Sequence, residues 1–202
     1  MRRIGALIFP GFELLDLFGP MEMFGMLSKD YDLTPVAETP GPVTSNQTLR
    51  AHADQAITDG TDFDILFVPG GAGTRKEVEN PALLDWIAQN STRAEYTLSV
   101  CTGSALLARA GVLNKRRATT NKAAFSWVVE QGPDVEWVAQ ARWVEDGHVL
   151  TSSGVSAGMD MTLAAIAAMH GTDRAEQVAN WCEYIWNRDP DQDPFAKLNG
   201  LG

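Results

Sequence analysis

Only two cysteines, three histidines and three tyrosines occur among the 202 residues, and each shortage narrows the chemistry open to the chain. Cys101 and Cys182 stand far apart, so free thiols in a reducing, cytoplasmic setting are expected, not a disulfide framework. No histidine or cysteine pair occurs at ligand spacing, so no metal is expected. Positive charge is short as well: 16 Lys and Arg against 26 Asp and Glu give a formal net charge of −10. Nucleic acid and anionic membranes both need clustered cations, so neither is expected as a partner. The run Lys115-Arg116-Arg117 is too short to change that and reads as a solvated edge. No apolar run approaches the ~18 residues of a membrane span. Met1-Arg2-Arg3 leads straight into a short strand pattern, where a secretory leader needs a longer apolar core.

What is present suits a folded protein with a sizeable core: 45% of residues are hydrophobic and 21% charged. One domain over residues 1–202 is expected. Apolar runs alternate with helical periods. Ile4 to Phe9, Phe63 to Val68 and Tyr96 to Val100 are predicted strands, with Arg117 to Thr120 a shorter fourth. Predicted helices cover Pro20 to Leu27, a segment led by Asn80-Pro81, residues 102–110 before Gly111, and Ala157 to His170 before Gly171. A last amphipathic helix is predicted over Thr172 to Trp186, with Thr172 as its cap. Val43 to Ile57 reads as an antiparallel excursion, and Arg142 to Thr151 as a hairpin turning at Asp146-Gly147. The tail from Asn187 is expected to wrap the surface. Alternation of this kind implies a three-layer α/β domain around a mostly parallel sheet.

Ligands of open α/β sheets gather at the carboxyl ends of the strands. Cys101 stands at such an end and opens a helix in Ser99-Val100-Cys101-Thr102-Gly103-Ser104, the place of a nucleophile elbow. Unpaired N–H groups and the helix dipole there are expected to lower the thiol pKa, favouring a reactive cysteine over a small core residue. Pro69-Gly70-Gly71-Ala72-Gly73 closes a neighbouring strand. Its glycines suit either a tight turn or backbone N–H groups arranged as an oxyanion hole. It is neither a dinucleotide fingerprint nor a phosphate loop, since Lys76 holds the third glycine position and no Gly-Lys-Ser/Thr follows. The histidines offer no obvious base: His52, His148 and His170 sit at an excursion, a hairpin turn and a helix end. Asp16 lies in Leu14-Leu15-Asp16-Leu17-Phe18, where desolvation would raise its pKa toward an acid/base value; a helix cap explains it equally well. Cys182 reads as a core thiol on a Val178-Trp181-Cys182-Ile185 face, Trp181 and Trp186 as packing anchors or dimer contacts, and Ser156 and Asp160 as caps.

Taken together, Leu15-Asp16-Leu17-Phe18-Gly19-Pro20, Val68-Pro69-Gly70-Gly71, the Cys101 elbow and Arg117-Ala118-Thr119-Thr120 resemble the ThiJ/PfpI superfamily, the class I glutamine-amidotransferase-like proteins. The pairing of the aspartate motif with Ser-Val-Cys-Thr-Gly-Ser is similar to its isocyanide (isonitrile) hydratase branch, as is the tail Asp189 to Phe195. The resemblance implies a flavodoxin-like sandwich, a homodimer, a small-molecule substrate and no cofactor. It also implies roles: Cys101 as nucleophile, Asp16 as acid/base, Thr102 holding thiolate or water, and Gly71, with Gly70 beside it, donating backbone N–H. Many relatives carry histidine after the Thr-Thr pair; Asn121 stands here, which argues against a Cys–His dyad. Phe18 replaces a small hydroxyl residue and is expected to line the substrate pocket. The competing readings are a cysteine-based oxidation sensor and a glyoxalase or deglycase. A transcription factor on this fold would need a downstream helix-turn-helix domain, so that role is not expected of these 202 residues.

Overall fold

The computed structural model describes residues 1–202. Its strands are β1 (Arg2–Leu7), β2 (Tyr31–Ala37), β3 (Gly41–Thr44), β4 (Arg50–Ala53), β5 (Gln55–Ala56), β6 (Ile65–Val68), β7 (Tyr96–Val100), β8 (Arg117–Ala118), β9 (Glu136–Trp137), β10 (Trp143–Asp146) and β11 (Val149–Ser152). The α-helices are α1 (Leu14–Gly25), α2 (Thr74–Glu77), α3 (Pro81–Arg93), α4 (Gly103–Arg109), α5 (Phe125–Gln131), α6 (Ala157–His170), α7 (Thr172–Trp181) and α8 (Pro194–Leu198).

Seven strands form one sheet in the order β10-β11-β7-β6-β1-β2-β5, parallel except for the antiparallel edge pair β10–β11. Strands covered on both faces read as unbroken apolar runs, and Ile65-Leu66-Phe67-Val68 is fully buried. Helix α1 packs on α6, and α6 on α7; α4 gathers α2, α3 and α5, and both groups rest on the sheet. The result is the mostly parallel three-layer sandwich that the alternation implies. The chain runs outward from β1 to β2 and then returns to β6. The β1/β6 boundary is therefore the switch point where such sheets leave a crevice.

Several elements depart from expectation. Arg117–Ala118 is not a fourth central strand: it pairs with β9 in a separate two-stranded ribbon, and β11 takes the place beside β7. The first helix begins at Leu14, six residues before Pro20, which lies inside it. Asp16 is therefore a first-turn residue and not a cap. Strand β2 has no counterpart among the predicted elements because Pro35 interrupts its pattern. The proline is tolerated because its carbonyl side, shared with the missing N–H, meets only Asp54 before β5 begins pairing at Val36. Helix α7 ends at Trp181 and is capped by Gly171, not Thr172; Ile185 beyond it is 92% exposed and Cys182 only partly buried, so no continuous apolar face forms.

Ser156 makes no side-chain cap, and Asp160 is no cap either. Fully buried, Asp160 meets Arg142 at 2.6–2.7 Å and accepts from Tyr184 Oη (3.0 Å) and the Asn187 N–H (2.9 Å). The pair ties the tail down. Pro190 O accepts the N–H of Arg142 at 2.7 Å, the Asp193 N–H reaches Gln140 O at 2.8 Å, and the tail then forms α8.

Candidate active site

Three segments meet at the carboxyl edge of the sheet: the first turn of α1, which follows β1, carries Asp16, the loop after β6 carries Gly70 and Gly71, and the turn after β7 carries Cys101. Cys101 has φ +57°, a left-handed conformation that costs a non-glycine residue about 1–2 kcal/mol. Its surroundings hold it there. The Cys101 N–H is shared between the carbonyls of Ser152 and Ser153 at 3.2 Å, and its own carbonyl accepts from Thr120 Oγ1 at 2.9 Å and Ser104 Oγ at 3.1 Å. The elbow expected from the sequence is thus a strained, fully bonded turn.

Three groups face the thiol: the Asp16 carboxyl, the Thr102 N–H and the Asn121 amide. Asn121 Oδ1 accepts the Ala124 N–H at 3.0 Å, which leaves the amide NH2 as the end available to sulfur. Cys101 is only 6% exposed. Burial, then the Asp16 charge, push its pKa above the ordinary 9.0, and the two N–H donors only partly offset this. The expected fall does not occur, because desolvation moves a buried group by several pH units while a helix terminus contributes less than about one.

Asp16 is fully buried in the first turn of α1. Its Oδ2 accepts the Gly70 N–H at 3.0 Å, and its Oδ1 bonds to no nitrogen or oxygen. Burial raises its pKa to about 7; the Gly70 N–H and the Cys101 thiol pull it down, while Glu13 adds to the rise. Gln47, in the β3–β4 turn, accepts the Leu14 N–H at 3.2 Å and bonds to the Glu13 carboxylate, so that turn caps the helix carrying Asp16.

Gly70 and Gly71 do not form an open oxyanion hole. The Gly70 N–H is taken by Asp16, and the Gly71 N–H donates to Thr102 Oγ1 at 3.0 Å. Thr74 Oγ1 lies 3.1 Å from the same hydroxyl and donates to Gly71 O at 2.7 Å. Buried N–H groups must be paired, and here the nearest acceptors belong to the site itself. The Thr102 side chain therefore braces the glycine turn, and only its N–H turns to sulfur. A Cβ at Gly70 would come within 2.7 Å of Thr102 Oγ1 and 2.9 Å of Asp16 Oδ2, so glycine is what lets the loops close on one another.

Phe18 does not line the space at the elbow. Half-exposed, it borders a groove of about 690 Å³ with Leu17, Met21 and His52, lined by none of the residues that contact Cys101. Beside the elbow lies a cavity of about 290 Å³ that is lined by neither Cys101 nor Asp16 but by Asn121 and Ser153, which both hydrogen-bond to Cys101, with Leu15 and Phe195 among its other walls. Beside Asn121, the buried Lys122 donates to Thr119 Oγ1 (2.8 Å) and Ala141 O (2.5 Å), and burial lowers its pKa to about 8. No histidine bonds to Cys101 or Asp16; His170 instead meets Tyr31 Oη at 2.8 Å. Three or more potential metal ligands cluster nowhere, and no helix is long and apolar enough to cross a membrane. Asn121 was legible only as the residue after Thr119-Thr120. Phe195 has no local signal at all, because it reaches the cavity from the far end of the chain.

A thiol on a strand-to-helix elbow, beside a buried carboxyl at the switch point, sits where open, mostly parallel α/β sheets gather their ligands, and the chain is an α/β protein of that flavodoxin-like class. Residues 2–168 match the DJ-1/PfpI family, and the chain is a member of that family. It is 35% identical over 182 residues to the isonitrile hydratase of Pseudomonas putida, an alignment covering 90% of this chain and 78% of the relative. It is 30% identical over 177 residues to the HTH-type transcriptional regulator CdhR of Pseudomonas aeruginosa, covering 86% of this chain but only 52% of the regulator. A solved ThiJ/PfpI family protein from Pseudomonas syringae superposes with a TM-score of 0.83 at 33% identity, covering 96% of this chain and 76% of that one.

Proposed function

We propose that this protein hydrates isonitriles to N-substituted formamides without a cofactor. The observation that carries the reading is the Asp16 carboxyl, with a pKa of about 7, facing a buried and neutral Cys101 thiol. Similarity to the isonitrile hydratase of Pseudomonas putida supports it. Sulfur attacks the terminal isonitrile carbon as Asp16 takes the thiol proton. Asp16 then delivers that proton to the same carbon, leaving a thioimidate, S–CH=N–R. Water adds to the thioimidate carbon, one of its protons passing to Asp16 and the other to nitrogen. Cleavage of the C–S bond releases the formamide, and the proton returns to sulfur. A carboxyl near neutrality suits both directions of transfer. The Thr102 N–H and the Asn121 amide stabilise charge on sulfur as the bond forms and breaks.

A peroxide sensor needs thiolate at neutral pH, and the raised Cys101 pKa favours the hydratase reading over that one. The working assembly is a cytoplasmic homodimer, which sedimentation checks. The test of function is the ultraviolet-monitored loss of an aryl isonitrile, with formamide identified by mass. Turnover by wild type and none by Cys101→Ala is the expected result; equal rates, or no turnover by wild type, would overturn it.

A further inference from the structure

The cavity beside the elbow has a mixed lining, with polar residues that bond to Cys101 and a few large apolar ones. Asn121 and Ser153, which hydrogen-bond to Cys101, form part of its wall; Leu15, Val155 and Phe195 are its large apolar lining residues, and Ser156 and Asn199 add polar ones. Its one cationic lining residue, Lys122, spends its ammonium group on Thr119 and Ala141. At about 290 Å³ it lies at the lower end of the ~300–1,000 Å³ usual for small-molecule sites. That leaves room for an isonitrile group and one compact substituent.

Phe195 is half-exposed and stacks on no other ring. Yet its backbone is firmly placed. Asp193, 5% exposed, accepts the Phe195 N–H at 2.9 Å, Ala196 beside it is buried, and the Asp193 N–H is bonded to Gln140 O. The Arg142–Asp160 pair fixes the segment upstream. An aromatic ring presented to a cavity by a fixed scaffold, with no partner of its own, is an apolar contact surface for a ligand.

We infer that Phe195 and Leu15 clamp the N-substituent, so that the preferred substrates are isonitriles bearing one compact apolar group, an aromatic ring above all, and that α8 sets this preference. The inference rests on the hydratase reading for its chemistry and on the cavity for its specificity.

The experiment compares phenyl and methyl isonitrile with wild type, Phe195→Ala and Leu198→Ala. Leu198, on the same helix, is 77% exposed and does not line the cavity. Phe195→Ala is expected to lower the phenyl-to-methyl ratio of kcat/KM about 10-fold, mainly through KM for the phenyl compound. Leu198→Ala is expected to leave the ratio alone. A ratio unmoved by Phe195→Ala, or moved as much by Leu198→Ala, overturns the clamp. If wild type hydrates neither compound, the chemistry is wrong, and calorimetric titration with N-phenylformamide decides the clamp separately. Binding weakened several-fold in Phe195→Ala upholds it; equal affinity, or no binding by wild type, overturns it.

Discussion

Asp16 Oδ2 accepts the Gly70 N–H at 3.0 Å, joining the first turn of α1 to the loop after β6 across the switch point of the sheet. That one bond holds the carboxyl against the Cys101 elbow while leaving its Oδ1 without a nitrogen or oxygen partner. Asp16→Asn keeps an acceptor for Gly70 but cannot carry a proton to or from carbon. Turnover is expected to fall by roughly 10²–10⁴-fold, the range of positioned acid–base catalysis. In wild type, kcat/KM is expected to rise with pH through about 7, since the ionised carboxylate must take the thiol proton. A pH–rate profile of the variant should lack that step.

The same carboxyl costs stability. Unfolded, Asp16 titrates near 3.8; folded, near 7, because burial disfavours its charge. Between those values the folded chain keeps a proton that the unfolded chain has released. The contribution is therefore fully present below pH 3.8 and is lost as pH rises through about 7. At ~1.4 kcal/mol per pH unit the loss is on the order of 4 kcal/mol at most. Asp16→Asn is expected to melt above wild type at pH 8, with the gap closing toward pH 4. Thermal melts across that range check it, and a gap independent of pH would contradict the burial argument.

Reactivity should follow burial more than helix placement. Cys101 is almost wholly buried and its pKa is raised, whereas Cys182 is partly accessible. At pH 7, iodoacetamide is expected to label Cys182 first and Cys101 more slowly than free cysteine, as peptide mapping by mass would show. Prompt labelling of Cys101 at neutral pH would mean a thiolate that this site does not favour.

The Arg142–Asp160 pair is a buried ion pair with one partner fully enclosed. Asp160→Ala leaves the Arg142 guanidinium buried without its carboxylate, and strips Tyr184 and the Asn187 N–H of their acceptor. The expected cost is about 3–5 kcal/mol, read as a lower urea midpoint. Because the pair anchors the tail that presents Phe195, KM for an aryl isonitrile should rise as well.

Gly71→Ala tests the glycine turn. Gly71 has φ +128°, and an added Cβ meets the Gly11 carbonyl and the Glu13 N–H. Both backbone strain and collision then act on the loop that braces Thr102. Loss of soluble, folded protein or a strongly lowered melting temperature is expected.

The helices and strands legible in the residues were those with local causes. Tyr96–Val100 and Ala157–His170 follow from an apolar run ending in a turn and from an apolar stretch closed by Gly171. Asn80 with Pro81 marks a helix start by capping chemistry, and its Oδ1 accepts the Leu83 N–H. Strand β2 was hidden by Pro35, which only the short reach of β5 makes harmless. Arg117–Ala118 has strand-like residues, but its partner is the distant β9, and pairing is not written in either segment alone.

By itself, the sequence determined the alternation that builds a parallel sheet, the elbow that carries Cys101, and the apolar setting of Asp16. These depend on residues adjacent in the chain. Tertiary structure alone decided that the Cys101 pKa rises, that the glycine N–H groups are spent on Asp16 and Thr102, and that the cavity wall is Leu15 and Phe195 in place of Phe18. The reason is physical: desolvation, charge proximity and hydrogen-bond pairing depend on what long-range folding brings within a few ångströms, and no local pattern encodes those distances.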